Sequence, residues 1–385
     1  MILKSGLKHD SALFLIVLIL LVVGVVMVYS ASSFKAQESY GDSRYFLINH
    51  FYKVLIGLAL MLIVSRIDYR IWLKISPLLL AFSFAILIYL LASSDIQHIR
   101  GSKRWVRLAG LQFQPSDLAK LALVLWLSLS LGKTHLMQKD TGHKFILRLA
   151  MIAFIIIPIL LQPDVGTAVL IAFIAIAIVF ASGEKLRHLF VPGIMGIIFL
   201  AMALMQHGYQ KARIMKFIAS LRGEALHYQS QQSLIAFGNG GFFGLGLGDG
   251  RQKFHFLPDP FTDFIYAIVG EELGILGSTA VLVLLVLFMW IGFRIALRTT
   301  EKSGRLVAFG IVLNIAIYAF TNTAVVLNLL PTTGIPMPFL SYGGSSLLVN
   351  LFSIGILLNI ARGSYKKGKL YPVGVHPTRR VPRNA

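Results

Sequence analysis

Long apolar runs separated by short polar breaks dominate this chain. Ten of them stand near residues 12–31, 50–65, 75–92, 116–132, 145–161, 166–182, 189–207, 263–293, 305–328 and 345–362. Runs of about 17–25 apolar residues predict transmembrane helices, because only a helix satisfies its own backbone in lipid. The second run needs flanking residues to reach full span length. The first follows Lys4 and Lys8 without a small-residue cleavage site, so it reads as a retained helix and not as a signal peptide. The predicted fold is an all-α polytopic membrane protein of about ten helices, with residues 1–385 forming a single membrane domain. A large outer loop at 208–262 separates the seventh span from the eighth.

Composition agrees. Hydrophobic residues make up 56% of the 385, charged residues 14%, and the net charge is +20. Cysteine is absent, which excludes disulfides and thiolate chemistry. Placing both termini in the cytoplasm puts the larger share of the 36 Lys and Arg on the inner side, as the positive-inside rule requires. The tail 363–385 is basic, without an acid, and reads as a disordered arm near anionic headgroups. No folded or aromatic-interleaved module accompanies its charge, so nucleic acid is not an expected partner.

Two predicted outer loops run against the charge rule. One holds Arg100, Lys103, Arg104 and Arg107 around Trp105; the other holds Lys211, Arg213, Lys216, Arg222, Arg251 and Lys253. Two readings stay open: an anionic ligand such as a lipid pyrophosphate, or ordinary contact with anionic headgroups.

Acids within or beside the spans are costly unless paired or wet. In PDPFTDFIYAIVGEELG, Thr262 is a predicted N-cap and Asp263 falls in the first turn of the eighth span. Helical phasing groups Gly270, Gly274 and Gly277 around Asp263, which turns it toward the bundle. Asp263 therefore reads either as a cap complementing the helix dipole or as a functional carboxylate. Glu271 and Glu272 lie deeper and read as structural ion-pair partners. Asp117 and Lys120 in QPSDLAK are spaced to pair. Asp164 in QPDVGTA is either a turn and cap residue or a second acid facing the same outer cavity. The charge-free LLPTTGIPMPFLSYGGSS predicts a folded-back loop lining a cavity. Tyr228 to Gly277 opens as a Gln- and Gly-rich polar island, a composition suited to a site.

PTTGIPMPFLSYGGSS resembles the C-terminal signature of the SEDS family (shape, elongation, division and sporulation). RWVRLAGLQFQPSDLAK, QPDVGTA, YQSQQSLIAFGNGGFFGLGLG and FLPDPFTDFIYAIVGEELG resemble the family's other blocks in the same order, across roughly residues 12–362. MVYSASS and GLGDGRQKFHFLP look more like the division branch, FtsW, than the elongation branch, RodA. The family usually has Glu where Asp117 stands, and Glu and His where Asp259 and Phe261 stand.

The resemblance implies a glycosyltransferase that polymerises lipid II, an undecaprenyl-pyrophosphate-linked saccharide, on the outer face of the bacterial cytoplasmic membrane. It places that activity at the division septum. Asp263 is then the general base. Arg104, Arg213 and Lys253 are pyrophosphate contacts, Trp105 shapes the sugar or lipid site, and Gln252 and Lys120 complete the substrate-binding candidates. A carboxylate base needs a raised pKa or the help of a divalent cation, Mg or Mn, although no metal-ligand spacing is evident. The implied partners are a class B penicillin-binding transpeptidase and other divisome membrane proteins. A lipid II flippase or a non-catalytic divisome scaffold is the competing class; the absence of an inverted repeat and the one-sided polar sequence weigh against a carrier.

Overall fold

The computed structural model describes residues 9–92, 104–108, 111–132, 142–184, 193, 194, 196, 208–224 and 226–370. Nine of the ten apolar runs fold as helices; the seventh, 189–207, lies mostly outside the described residues. The spans are α1 (His9–Tyr40), α2 (Tyr45–Val64), α3 (Tyr69–Ala92), α4 (Pro115–Gly132), α5 (Gly142–Leu161) and α6 (Val165–Ala181). Two shorter helices follow, α7 (Gly208–Leu221) and α8 (Tyr228–Gly240), and then α9 (Ile265–Arg298), α10 (Lys302–Val326) and α11 (Ser345–Leu370). Eight of these are long and apolar enough to cross a membrane, and α6 is a shorter apolar helix. A small antiparallel hairpin, β1 (Val106–Leu108) with β2 (Leu111–Phe113), precedes α4.

The bundle packs α3 against α4, α2 against α11, and α9 against α8, α10 and α1. Large apolar side chains such as Val22, Leu78, Ile146 and Phe173 remain exposed on its flanks, where lipid and not water is the solvent. One end of the bundle, the site face, carries the hairpin, α7 and the 327–344 connection. The opposite face gathers Arg362 beside Asp10 (3.7 Å) and the α2–α3 and α9–α10 turns.

The structure corrects the sequence at three points. Helix α9 begins at Ile265, so Asp263 precedes it; Phe264 occupies the N-cap position without a side-chain cap bond, and Thr262 does not cap. Helix α9 also breaks at Gly274 (φ 65, ψ −166), which ends the helical phasing expected there. Gly270 faces Phe237 and Gly274 faces the backbone of Phe242 and Gly244, so these glycines admit a neighbouring loop and do not frame Asp263. Of the basic tail expected to be disordered, 363–370 continue the last helix, and 371–385 lie outside the described residues.

The break explains the segment after α8. Ile275 N–H donates to Gly241 O (3.0 Å) and Leu276 N–H to Phe242 O (3.2 Å), while Leu245 and Gly246 donate to Glu271 O and Glu272 O. These partners lie about ten residues into α9, or about 15 Å along its axis. The segment predicted as an outer loop therefore dips into the bundle. There it meets the backbone groups freed at Gly274, as a broken helix in lipid requires.

At the opposite face Glu301 is held by Arg70 Nη2 (2.6 Å), Tyr69 Oη (2.8 Å) and Ser303 Oγ (3.0 Å). The Arg70 hydrogen bond chiefly, with those from Tyr69 and Ser303, lowers the Glu301 carboxyl to about 2. A depressed carboxylate stabilises the fold above its unfolded value near 4.5, and that contribution fades as pH falls toward about 2. The thermal midpoint in detergent should therefore fall more steeply for wild type than for Glu301→Gln between those two values. Parallel pH curves would remove the role assigned to this contact.

Candidate functional site

The charge-free connection after α10 contains four consecutive residues on which the polar groups of the site face converge. Arg213 Nη1 donates to Thr332 O (3.0 Å). Gly166, two residues beyond Asp164, packs on Thr333; a Cβ at Gly166 would lie 3.2 Å from Thr333 Cβ. Gly334, at φ 72, faces Asp263; a Cβ there would lie 3.7 Å from Asp263 Oδ2. Ile335 O accepts from Asn322 Nδ2 (2.8 Å), and the same amide donates to Asp263 O (2.6 Å). Residues 332–335 thus form a rail that ties α10, the start of α6, α7 and the segment before α9 into one constellation.

Asp263 is half-buried on this rail. The Thr262 hydroxyl lies 2.8 Å from both Asp263 Oδ1 and Asp259 O, so its single proton is shared between two acceptors. Asp259 pairs with Lys35 from the polar end of α1, and its φ of 47° belongs to a tight left-handed turn. Asp164 accepts from Thr167 N (3.4 Å), which caps α6, and from Gln114 Nε2 (2.9 Å). Arg104 Nη1 stands 3.4 Å from Asp164 Oδ1. Asp164 is therefore the cap that the sequence offered as one alternative, and its carboxylate is buried against Gln114 and Arg104. Arg104 Nε is buried without a hydrogen-bond partner among the described residues. Trp105 is half-buried beside it, immediately before β1.

Six other predicted site residues are enclosed: Asp117, Lys120, Gln252, Lys253, Glu271 and Glu272. Lys120 and Asp117 pair at 2.8 Å with both side chains buried, and the ammonium lies 4.1 Å from the Tyr318 ring centre. Ser345 Oγ donates to Asp117 Oδ2 (2.7 Å) and accepts from Gln114 N (3.0 Å), which joins this pair to Asp164 through Gln114. Lys253 is buried against Glu272 Oε1 (2.9 Å), Ser30 Oγ (3.2 Å) and Gly248 O. Glu271 accepts the backbone N–H groups of Arg251 and Gln252, so Gln252 is held by its main chain. Glu271 and Glu272 thus hold the 248–253 turn. Lys253 and Lys120 are thus engaged in buried ion pairs and Gln252 is held by its main chain, and none of the three contacts Asp263 among the described residues. Arg100 and Lys103 lie outside the described residues, as does the side chain of Arg107.

Sequence reasoning missed Asn322, Thr262 as a partner of Asp263, Gln114, Ser345 and Lys35. Asn322 carried a signal, being an amide in an apolar run. Among the described residues no three or more His, Asp or Glu side chains converge to hold a metal ion.

A family model described as "Cell cycle protein", covering FtsW, RodA and SpoVE, matches residues 11–366. The chain is 39% identical over 357 residues to a probable peptidoglycan glycosyltransferase FtsW of Geobacter sulfurreducens, covering 92% of this chain and 95% of that one. It is 36% identical over 356 residues to stage V sporulation protein E of Bacillus subtilis, covering 92% and 97%. Among solved structures it resembles a chain described under "Structural coordination of polymerization and crosslinking by a peptidoglycan synthase complex". The TM-score there is 0.73 at 25% identity, covering 92% and 98%. It also resembles the rod shape determining protein RodA of Thermus thermophilus, with a TM-score of 0.68 at 26% identity, covering 92% and 96%.

The enclosed pairs and the rail separate by their response to mutation. Lys253→Met should lower stability by about 3–5 kcal/mol, since it strands the buried Glu272 carboxylate. Arg213→Gln, at a half-buried donor, should lower it by about 1 kcal/mol. Thermal unfolding in detergent checks both; equal losses would dissolve the distinction.

Proposed function

The chain belongs to the FtsW, RodA and SpoVE family, known as SEDS, and on that premise we propose the chemistry of its site. It is a multi-pass membrane peptidoglycan glycosyltransferase. Its substrate is lipid II, an anchored saccharide whose anomeric carbon bears a pyrophosphate. The observation that carries this reading is the rail: Gly334 faces the Asp263 carboxylate and Thr332 O takes the Arg213 guanidinium, while Arg104 pairs with Asp164 just before α6, whose Gly166 packs on Thr333.

Asp263 accepts the proton of the acceptor sugar hydroxyl as that oxygen attacks the anomeric carbon of the donor. The bond from this carbon to the pyrophosphate oxygen breaks, and the polyprenyl pyrophosphate leaves with the electron pair. Arg104 and Arg213 offset the charge that grows on the leaving group. Trp105 borders the sugar or lipid. A divalent cation remains an alternative activator of the base, and it would draw on substrate phosphates together with carboxylates of the site. The site face is the outer face, both termini are cytoplasmic, and the septum is the working place. A class B penicillin-binding transpeptidase supplies crosslinking. The solved structure of a synthase that coordinates polymerization with crosslinking supports that pairing.

Asp263→Asn keeps shape and should lower polymer formation from labelled lipid II by about 10²–10⁴-fold. Expression, thermal stability and partner binding should persist. Asp259→Asn should be far milder, because Asp259 meets Lys35 and does not face the rail. Near-normal glycan from folded Asp263→Asn protein would refute the base and favour a flippase or a scaffold. Arg104→Gln or Arg213→Gln should raise the lipid II concentration needed for half-maximal rate about tenfold. Cysteines placed at Gln229 and Thr300 should react with an impermeant label from opposite faces, Gln229 from outside; the reverse pattern would invert the orientation.

A further inference from the structure

Four buried or half-buried cations near the site face have acidic partners, Lys35 with Asp259, Arg104 with Asp164, Lys120 with Asp117 and Lys253 with Glu272, and Arg213 donates to Thr332 O. Lys53, in α2, departs from this pattern. Among the described residues no acid pairs with it. Its hydrogen-bond partner is the Tyr342 hydroxyl at 3.2 Å, and its ammonium lies 4.3 Å from the Tyr342 ring centre. One turn earlier His50 is fully buried, 5.7 Å from the same ring, and neither of its ring nitrogens has a hydrogen-bond partner. An ammonium, a phenol hydroxyl and an unpartnered imidazole therefore share one side chain, Tyr342, as their meeting point.

Tyr342 is also part of the catalytic segment. Its N–H donates to Phe261 O (2.8 Å), two residues before Asp263. Three residues on, Ser345 reaches Asp117. The surroundings set the depth. Tyr40 stacks on Tyr45 (3.9 Å between ring centres), and Phe46 packs on Phe261 (4.7 Å) and Tyr342 (5.4 Å). Such an aromatic girdle marks the membrane–water interface, where lipid phosphates lie.

We propose that Lys53 and Tyr342, backed by His50, form a second subsite for a lipid-borne diphosphate, that of the acceptor substrate. The inference rests on the polymerase reading. When two polyprenyl-diphosphate saccharides are joined, the donor loses its diphosphate and the acceptor keeps its own. Arg104 and Arg213 serve the diphosphate that leaves. The retained one needs a cation elsewhere at the same depth, and Lys53 supplies it on the other side of the Phe261–Tyr342 contact. Lysine suits this role, because its compact ammonium offers three donors to phosphate oxygens, with the phenol as a fourth.

The test uses full-length protein with its transpeptidase partner in proteoliposomes. Lys53→Met should raise the lipid II concentration for half-maximal rate about tenfold and leave the saturated rate nearly unchanged. Lys53→Arg should restore the wild-type value. Tyr342→Phe, which keeps the ring and the charge of Lys53, should shift it in the same direction and serves if Lys53→Met fails to fold. Unchanged concentration dependence in a folded Lys53→Met protein overturns the subsite. Replacing phosphatidylglycerol with phosphatidylcholine separates the sources. If the difference between wild type and Lys53→Met then disappears, the phosphate belongs to a phospholipid headgroup, and the substrate assignment falls. Binding of lipid II to Asp263→Asn protein, read by native mass spectrometry, is independent of turnover. Two bound lipids should fall to one with Lys53→Met added, and an unchanged count overturns the proposal even if the Asp263 assignment stands. Polymerisation by Asp263→Asn protein would instead overturn the base and leave that binding result intact.

Discussion

Unpaired backbone inside a membrane is the constraint on which this structure depends. Residues 332–335 have left helical geometry and enter the bundle with carbonyls that lipid cannot satisfy. Asn322 and Arg213 donate to two of them, at Ile335 O and Thr332 O. The groups that satisfy the segment are those that assemble the site. Asn322 also holds Asp263 O, so the rail and the acid are fixed by one side-chain amide. The backbone of the segment and the placement of Asp263 are met by the same side-chain amide.

The same logic operates at Gly274. A break in the middle of α9 frees main-chain groups, and the segment from Gly241 to Gly246 enters to meet them. No other residue fits at Gly274: its φ of 65° is left-handed, and a Cβ would lie 2.4 Å from Gly244 N. The segment is held in turn by Glu271 and Glu272, whose carboxylates accept from Arg251, Gln252 and Gly248 and pair with Lys253. These acids brace the turns that lead to Asp263.

Charges in this bundle thus fall into two kinds. Asp117 with Lys120 and Glu272 with Lys253 are mutual pairs, nearly closed to solvent, in which each partner offsets the burial of the other. Asp263, Arg104 and Arg213 are half-buried and lean on backbone or on residues of adjoining elements. The second kind is the less enclosed, although Arg104 also lies against the buried Asp164.

Spacing along the chain determined much of this. Nine apolar runs are helices because a span must satisfy its own backbone, and that requirement is local. The Asp117–Lys120 pair was legible for the same reason, since three residues along a helix make neighbours. Asp263 could be named from its sequence block, although its neighbours could not. The helix was expected to start before Asp263 and starts after it, because the packing of residues 259–264 against α1, α10 and Tyr342 overrides the local capping signal. Lys253 and Arg213 look alike as basic residues of one loop. Their difference arises from partners far along the chain, Ser30 and Glu272 for one and Thr332 for the other. Contacts between residues 59 to 289 positions apart, such as Asn322 with Asp263 and Lys53 with Tyr342, leave no periodic trace in the sequence. Only the folded bundle brings them within hydrogen-bonding distance.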